Sequence, residues 1–326
     1  MKILITGGNG FIGSHITKQL LEQNHEVVIY DNFSTSKRPS VISQQSSANT
    51  ENSQKTEDRR LTTDDRRQTT IEGDINDAKK LQESLQGVDA VIHMASFTSV
   101  EESVKSPLKY MQNNVLGAAT LLEAMRISGV KKIIFSSSAT VYGTPKTLPI
   151  TEDQPISAAN PYGASKIAVE ALCESFAKTD GFDVIILRYF NPYGPGEKHL
   201  PETHAIPNFI KAALDKRPIP LYWKGEQIRD FIYVEDLAAA HIAVLNLSGH
   251  QVFNVGTKSG TKIIDVVNEL SDIFGYDLEI DDKGDRPGDV MATYASSEKL
   301  NQVTGWEAKV SLKEGLSKTI DFFKNP

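Results

Sequence analysis

Short apolar runs alternate along this chain with stretches of helical periodicity. KILIT (2–6) is one such run, ending in GGNGFIG (7–13), and a helical pattern through Ile16, Leu20 and Leu21 follows it. HEVVIYD (25–31), DAVIHMAS (89–96), KKIIFSSS (131–138) and FDVIILRYF (182–190) are further runs of the same kind, with LLEAM (121–125) marking a helix between two of them. Such runs suit strands buried on both faces, and strands separated by helices predict βαβ units in a parallel sheet. The runs end in polar or glycine residues, where open parallel sheets bind ligands.

After Phe190 the pattern changes. NPYGPGEKHLPETHAIP (191–207) reads as a Pro/Gly-rich loop, 208–215 as a short helix and PIPLYW (218–223) as a strand. RDFIYVEDLAAAHIAVL (229–245) is a strand entering a helix, and FNVG (253–256) is another strand. A helix near 262–274, a strand near 277–280, the loop DDKGDRPGDV (281–290) and an amphipathic helix at 311–323 complete the chain. The expected fold is α/β: a Rossmann-type doubly wound parallel sheet with a smaller mixed α/β lobe. Residues 1–190 go to the sheet domain, with 232–258 returning to it; residues 191–231 and 259–326 go to the second lobe. Pro39 to Thr70 fits neither, having no aromatic residue and a near-repeat, DRRLTT (58–63) then DRRQTT (65–70). Its composition is that of a flexible, solvated insertion. A flap over the ligand or a partner-binding arm is the functional alternative.

Composition narrows the partners. A chain of 326 residues with 39% hydrophobic and 24% charged content is that of a globular protein. Its net charge of −7 lacks the basic footprint of a nucleic-acid or anionic-membrane binder. An anionic ligand must therefore be held by local charges and backbone N–H groups. One cysteine, Cys173, permits no intrachain disulfide. No basic, apolar leader precedes KILIT and no apolar run is long enough to span a bilayer, so the expected location is cytoplasmic.

Gly7, Gly10 and Gly13 open the first helix, and Gly8, Gly10 and Gly13 satisfy GxGxxG. A lone match is weak, but here a strand precedes it and a helix follows. Glycines at these places allow a tight turn and close approach to a pyrophosphate, which meets the free N–H groups of the helix start. Asp31 ends the second strand, placed for adenosine ribose hydroxyls and against a 2′-phosphate, which favours NAD over NADP; Lys37 and Arg38 soften that preference.

NPYGASK (160–166) sets Tyr162 four residues before Lys166, one helical turn apart on one face. A solvated surface pair is the plain reading. A phenol with a pKa near ~10 is a poor base, but a cation one turn away favours phenolate. SSSATVYG (136–143) ends a strand some two dozen residues earlier, and its Ser138 is placed to share the same substrate hydroxyl. His93 reads as a strand-end packing residue and Cys173 as a small core hydrophobe. The histidines and carboxylates show no metal-ligand spacing.

TGGNGFIG, DNFSTSKR, EGDI, SSSATVYG, PYGASK, RYFNPYGPG, RDFIYVEDL, FNVG and RPGDV together resemble the extended short-chain dehydrogenase/reductase family. Within it they are most similar to UDP-sugar 4-epimerases of the UDP-glucose 4-epimerase type, over nearly the whole chain except 39–70. The resemblance implies that Tyr162 is the base and acid at the sugar 4-hydroxyl, that Lys166 lowers its pKa and holds the nicotinamide ribose, and that Ser138 shares the proton. A hydride leaves C4 for tightly bound NAD, and the 4-ketose turns over and takes it back on its other face. By motif position Gly7, Gly10, Phe11, Ile12, Asp31, Asn32, Ser36, Asp74, Ile75, Met94, Ala95, Ser96, Asn113, Tyr162, Lys166 and Tyr189 line the NAD site. Thr98 stands where some epimerases carry a cofactor-touching lysine.

Sister enzymes diverge after the 4-keto step. The 4,6-dehydratases carry Asp-Glu just after the serine or threonine, and the UDP-glucuronate decarboxylases keep a Glu there. This chain has Ala139 and Thr140, lacking that extra acid/base group, which favours epimerisation. On the substrate side the resemblance assigns Arg229 and Arg286 to the diphosphate, Asp289 to ribose hydroxyls, Asn191 to phosphate or sugar, and Pro220 and Tyr222 to the uracil. As residues alone, the arginines equally suit ion pairs with Asp230, Asp236 or Asp289. Trp223 replaces a glycine usual in relatives. Thr293 stands at a gate beside the sugar where a bulky aromatic restricts relatives to plain hexoses, so room for an N-acetyl group is expected. The resulting reading is a UDP-hexose 4-epimerase interconverting UDP-glucose and UDP-galactose, with UDP-GlcNAc and UDP-GalNAc as further substrates. A UDP-glucuronate 4-epimerase, a 4-keto reductase and an inactive NAD-sensing member are the alternatives. A homodimer is expected from the resemblance, through the helix bearing Tyr162 and Lys166; its face through Ile167, Ala171 and Cys173 equally suits burial within one subunit.

Overall fold

The computed structural model describes residues 1–36, 67–197, 204–285 and 290–325. Its centre is a seven-stranded sheet: β1 (Lys2–Thr6), β2 (Glu26–Asp31), β3 (Gln68–Glu72), β4 (Ala90–His93), β5 (Lys132–Ser138), β6 (Asp183–Tyr189) and β7 (His250–Val255). The spatial order is β7-β6-β5-β4-β1-β2-β3, and every neighbouring pair is parallel. The order reverses between β1 and β4, and the crevice beyond their C-terminal ends is where such sheets hold ligands.

Alternate residues of each strand serve opposite faces. Ile3 and Ile5 pack with Ile16 and Leu20 of helix Phe11–Glu22 and with Leu237 of helix Val234–Ala243. Leu4 packs on the other face with Leu121 of helix Gly117–Ser128 and Val169 of helix Pro161–Asp180. Each fully buried aliphatic side chain contributes about 1.5–3 kcal/mol. Helix Pro161–Asp180 has clear local signals: the Asn160 side chain caps the Gly163 N–H, Pro161 opens the first turn, and Gly181 ends it at φ +67°.

The second lobe is built from short pieces. Asn191–Tyr193 pairs Phe231–Tyr233, Ile219–Leu221 pairs Ile280–Asp282, and Ile228–Arg229 lies between Thr261–Lys262 and Ala292–Thr293. Tyr193, Phe209, Leu221, Tyr233, Leu270 and Ile320 form its core.

Four sequence boundaries are corrected. The flexible insertion was carried to Thr70, but Gln68–Thr70 belong to β3, with Thr70 buried; a polar edge strand beside Val27–Ile29 has no apolar run to announce it. The loop assigned to 191–207 begins with a strand, because Pro192 sits in a short two-stranded pair. The helix placed at 208–215 starts at Ala205, since Pro207 falls in its first turn, where no N–H is needed. The strand placed near 277–280 is Ile280–Asp282, set by pairing with Ile219–Leu221. Among the described residues, no helix is long and apolar enough to cross a membrane.

Candidate active site

The glycine loop lies between β1 and helix Phe11–Glu22. Gly7 has φ +72° and packs on the Ala95 backbone, and a Cβ on Gly13 would stand 2.6 Å from the Gly7 carbonyl oxygen. The helix start has no side-chain cap and no acidic residue in its first turn, so its N–H groups and positive dipole face outward unanswered. The Asn9 side-chain nitrogen is buried without a hydrogen-bond partner. An uncapped helix start, an orphaned donor and glycines that admit close approach fit a dinucleotide pyrophosphate.

Asp31 stands beside this loop, accepting from the Asn9 N–H (3.0 Å), the Phe33 N–H (2.8 Å) and the Ser36 hydroxyl (3.2 Å). Asn32 donates to Asp74 (3.0 Å), and Ile75 packs against Gly117. Asp31, Asn32, Ser36, Asp74 and Ile75 are thereby gathered at the ends of β2 and β3, with Gly7, Gly10, Phe11 and Ile12 beside them. Met94, Ala95 and Ser96 follow β4 across the crevice, the first two giving their N–H groups to the Thr6 hydroxyl at 3.1 and 3.2 Å. Thr98 is exposed nearby.

Ser138 ends β5, and its hydroxyl accepts from the Thr140 N–H (3.2 Å) and hydroxyl (3.0 Å). It also lies near the Tyr162 phenol and favours its ionised form. Lys166 lies one turn beyond Tyr162, buried, its ammonium donating to the Ser136 carbonyl at 2.8 Å. Three residues from two elements thus converge. Burial pushes the Tyr162 phenol up to about 12, with the Ser138 hydrogen bond opposing it. Burial lowers the Lys166 ammonium to about 7, with the Glu170 carboxylate opposing it. Burial makes each charge costly on its own, so the phenol rests neutral here. The ammonium is 5.8 Å from the phenol ring centre.

Tyr189 is buried with its phenol hydrogen-bonded to Ser136 (2.6 Å) and to His241, so it holds the sheet end from behind. Asn191 begins the strand after it, and its N–H donates to the Asp230 carbonyl at 2.9 Å. Arg229 and Thr293 are register partners, bringing a cation and a threonine side by side. Pro220 lies on another small sheet and Tyr222 just after that strand, both exposed. Trp223 follows at φ +51°, a left-handed backbone where a glycine fits without strain. Arg286, Asp289, Lys37 and Arg38 lie outside the described residues. Among the described residues no group of three or more His, Cys, Asp or Glu is placed to hold a metal.

Some site residues were not read from the sequence. Asn114, beside Asn113 in the π-helical turn Met111–Leu116, binds both polar groups of the Phe97 backbone and donates to Ser165 (3.0 Å), joining the β4 loop to the Tyr162 helix. Two consecutive asparagines inside a helix, where they are poor formers, were the available signal. Tyr110 meets the Tyr162 ring edge-on at 6.4 Å. Thr6 accepts two N–H groups, so its own proton goes to His93 Nδ1 at 2.8 Å and makes His93 the neutral Nε2–H tautomer. Burial, and then the Lys166 charge, hold His93 down at about 3. Cys173 is fully buried in the core, Ile167 is half-buried and Ala171 is exposed.

A dinucleotide cradle beside a phenol, an ammonium and a hydroxyl is the equipment of an enzyme that oxidises and re-reduces an alcohol. The chain belongs to the NAD dependent epimerase/dehydratase family, which its residues 3–256 match. It is 37% identical to UDP-glucose 4-epimerase 2 of Arabidopsis thaliana, over 96% of this chain and 92% of that protein. Among solved structures, a UDP-glucose 4-epimerase of Thermotoga maritima with UDP-glucose superposes with a TM-score of 0.87 at 32% identity, covering 99% of each chain. A UDP-N-acetylglucosamine 4-epimerase of Methanobrevibacter ruminantium, in complex with UDP-N-acetylmuramic acid, also gives 0.87 at 32% identity, covering 99% of this chain and 98% of that one.

Proposed function

We propose that this chain is a UDP-hexose 4-epimerase that works by transient oxidation at C4. The observation that carries the reading is the convergence of Ser138, Tyr162 and Lys166, with Ala139 and Thr140 where an elimination would require a further acid. NAD, when bound, would supply a reversible hydride acceptor and a positive charge that favours the phenolate. Tyr162 takes the proton of the sugar 4-hydroxyl and later returns it to the other face. The Lys166 ammonium is held by the Ser136 carbonyl and stabilises the phenolate. Ser138 fixes the hydroxyl's direction and shares its proton. Arg229 meets the diphosphate, and Thr293 beside it leaves space for an N-acetyl group.

The exposed apolar side chains Val104, Leu108 and Leu116, on segments packed against helix Pro161–Asp180, support a homodimer through that region. Sedimentation giving a monomer at all concentrations would remove that element. The buried free Cys173 suits a reducing cytoplasm. The reaction is tested by NMR of the purified protein, without added cofactor, with UDP-glucose, UDP-GlcNAc or UDP-glucuronate. C4 epimers of the first two are expected. No epimer from either, with NAD bound, would overturn the reading.

A further inference from the structure

One residue row below the catalytic strand ends lies a buried polar layer that the chemistry above does not use. Ser137 on β5, Arg188 on β6 and Asn254 on β7 are in register across three adjacent strands. Glu170, one helical turn after Lys166, reaches this row: it accepts from the Ser137 hydroxyl (2.5 Å) and bidentately from Arg188 (3.0 and 2.7 Å). Tyr142, at the end of the turn that Ser138 begins, closes it. Its phenol accepts from Arg188 at 2.8 Å and donates to Asn254 at 2.7 Å. All five side chains are buried.

Such a layer is an expensive way to stabilise a fold. Replacing a buried ion pair by packed apolar groups is often neutral or stabilising, so a retained pair asks for a reason in specificity. Here the reason is geometric. Glu170 ties the Tyr162–Lys166 helix to Ser137, the residue before Ser138. Tyr142 ties the far end of the Ser138 turn to β6 and β7. Asn254 also donates to the Ile150 carbonyl (2.9 Å), and Ile150 bridges Ala295, two residues from Thr293.

We propose that the buried row centred on Tyr142, Arg188 and Glu170 is a positioning unit for proton transfer, holding the Ser138 turn in register with the helix that carries Tyr162 and Lys166. The inference rests on Tyr162 being the group that moves the proton. The charged or titratable groups around Tyr162 and this row are His93 from β4, Tyr110 edge-on to the Tyr162 ring, Tyr142 and Glu152 after β5, Lys166 and Glu170 from the helix, and Arg188 and Tyr189 from β6.

The test is Tyr142→Phe in the NAD-bound enzyme, which removes one hydroxyl and keeps the ring. Turnover of UDP-glucose should fall ten- to a hundredfold with KM within about twofold, as for a small misplacement of reacting groups. NAD content should be unchanged. Ultraviolet titration of the Tyr162 phenol, taken as the difference from protein carrying Tyr162→Phe, should move upward as the Ser138 hydrogen bond loosens. If Tyr142→Phe does not fold, Asn254→Ser cuts the same phenol's partner and is read by the same measures. Unchanged kcat per NAD-loaded molecule with an unmoved Tyr162 titration overturns the inference, even if melting temperature drops. Wild-type protein that epimerises no UDP-hexose overturns the proposed reaction instead, and the titration alone then decides the positioning role.

Discussion

The ends of β5 and β6 and the strands of the second lobe both carry residues of the proposed site, but they are held differently. At the sheet end Ser138, Tyr162 and Lys166 sit over a fully buried hydrogen-bonded row, and Lys166 itself is 4% exposed. In the lobe, Arg229 and Thr293 stand on strands of two residues, and Tyr222 is 39% exposed. The first arrangement is over-determined before any ligand arrives. The second rests on two-residue strands and on a rim side chain, with the Arg229 guanidinium donating to the Ile228 carbonyl (2.9 Å). The proposed proton chemistry thus sits on the rigid end of the fold and the proposed sugar contacts on its least regular part. One exception in the lobe is Asp230, fully buried, which accepts from Thr257 (2.8 and 2.6 Å) and from the Ala295 N–H (3.0 Å). It clamps the Thr293 segment so closely that a Cβ on Gly256 would stand 2.3 Å from its carboxylate.

The comparison breaks most readily at Tyr162. Tyr162→Phe should lower kcat by about 10²–10⁴, the usual weight of a general base, with bound NAD retained in the absorption spectrum. A loss of NAD instead of turnover would make the tyrosine a binding residue. Next, Glu170→Ala should destabilise by about 3–5 kcal/mol in urea unfolding, since it strands a buried guanidinium. Lys262→Ala, which breaks the exposed pair with Glu226, should leave the midpoint where it is. Equal effects would erase the distinction between the regions. Thr293→Tyr should cut kcat/KM for UDP-GlcNAc relative to UDP-glucose by roughly ten- to a hundredfold, the range a change of pocket size commands. An unchanged ratio would remove Thr293 from specificity.

The smallest effect is on acid stability. Burial holds His93 down at about 3 and His241 down at about 4, against an ordinary 6.5. The unfolded chain therefore takes these protons first, and the stability is complete above pH 6.5 and lost as pH falls toward those values. The slope is at most about 1.4 kcal/mol per pH unit for each histidine. Burial raises Asp230 despite its hydrogen bonds, so its contribution has the opposite sign, present in acid and lost as pH rises through its folded value. Urea unfolding at pH 6.5 and pH 5 should show a fall, and Asp230→Asn should steepen it toward lower pH. A flat profile would contradict the neutral buried histidines.

By itself the sequence determined the main strands of the sheet, the dinucleotide loop and the Tyr162–Lys166 spacing. These are local: an apolar run buried on two faces, glycines at a strand-to-helix turn and a one-turn separation all show within a few residues. It missed β3, whose QTTIE is polar because an edge strand is held by backbone pairing to β2. It named Asn113 and passed over Asn114, because which amide turns inward depends on a π-helical turn. Most of all it could not show that Ser137, Arg188 and Asn254 form one row. They come from strands scores of residues apart, and only sheet register, with Glu170 and Tyr142 closing over it, decides that they meet. Their hydrogen bonds exist because burial leaves those polar groups no water to turn to, and burial is a property of the assembled fold.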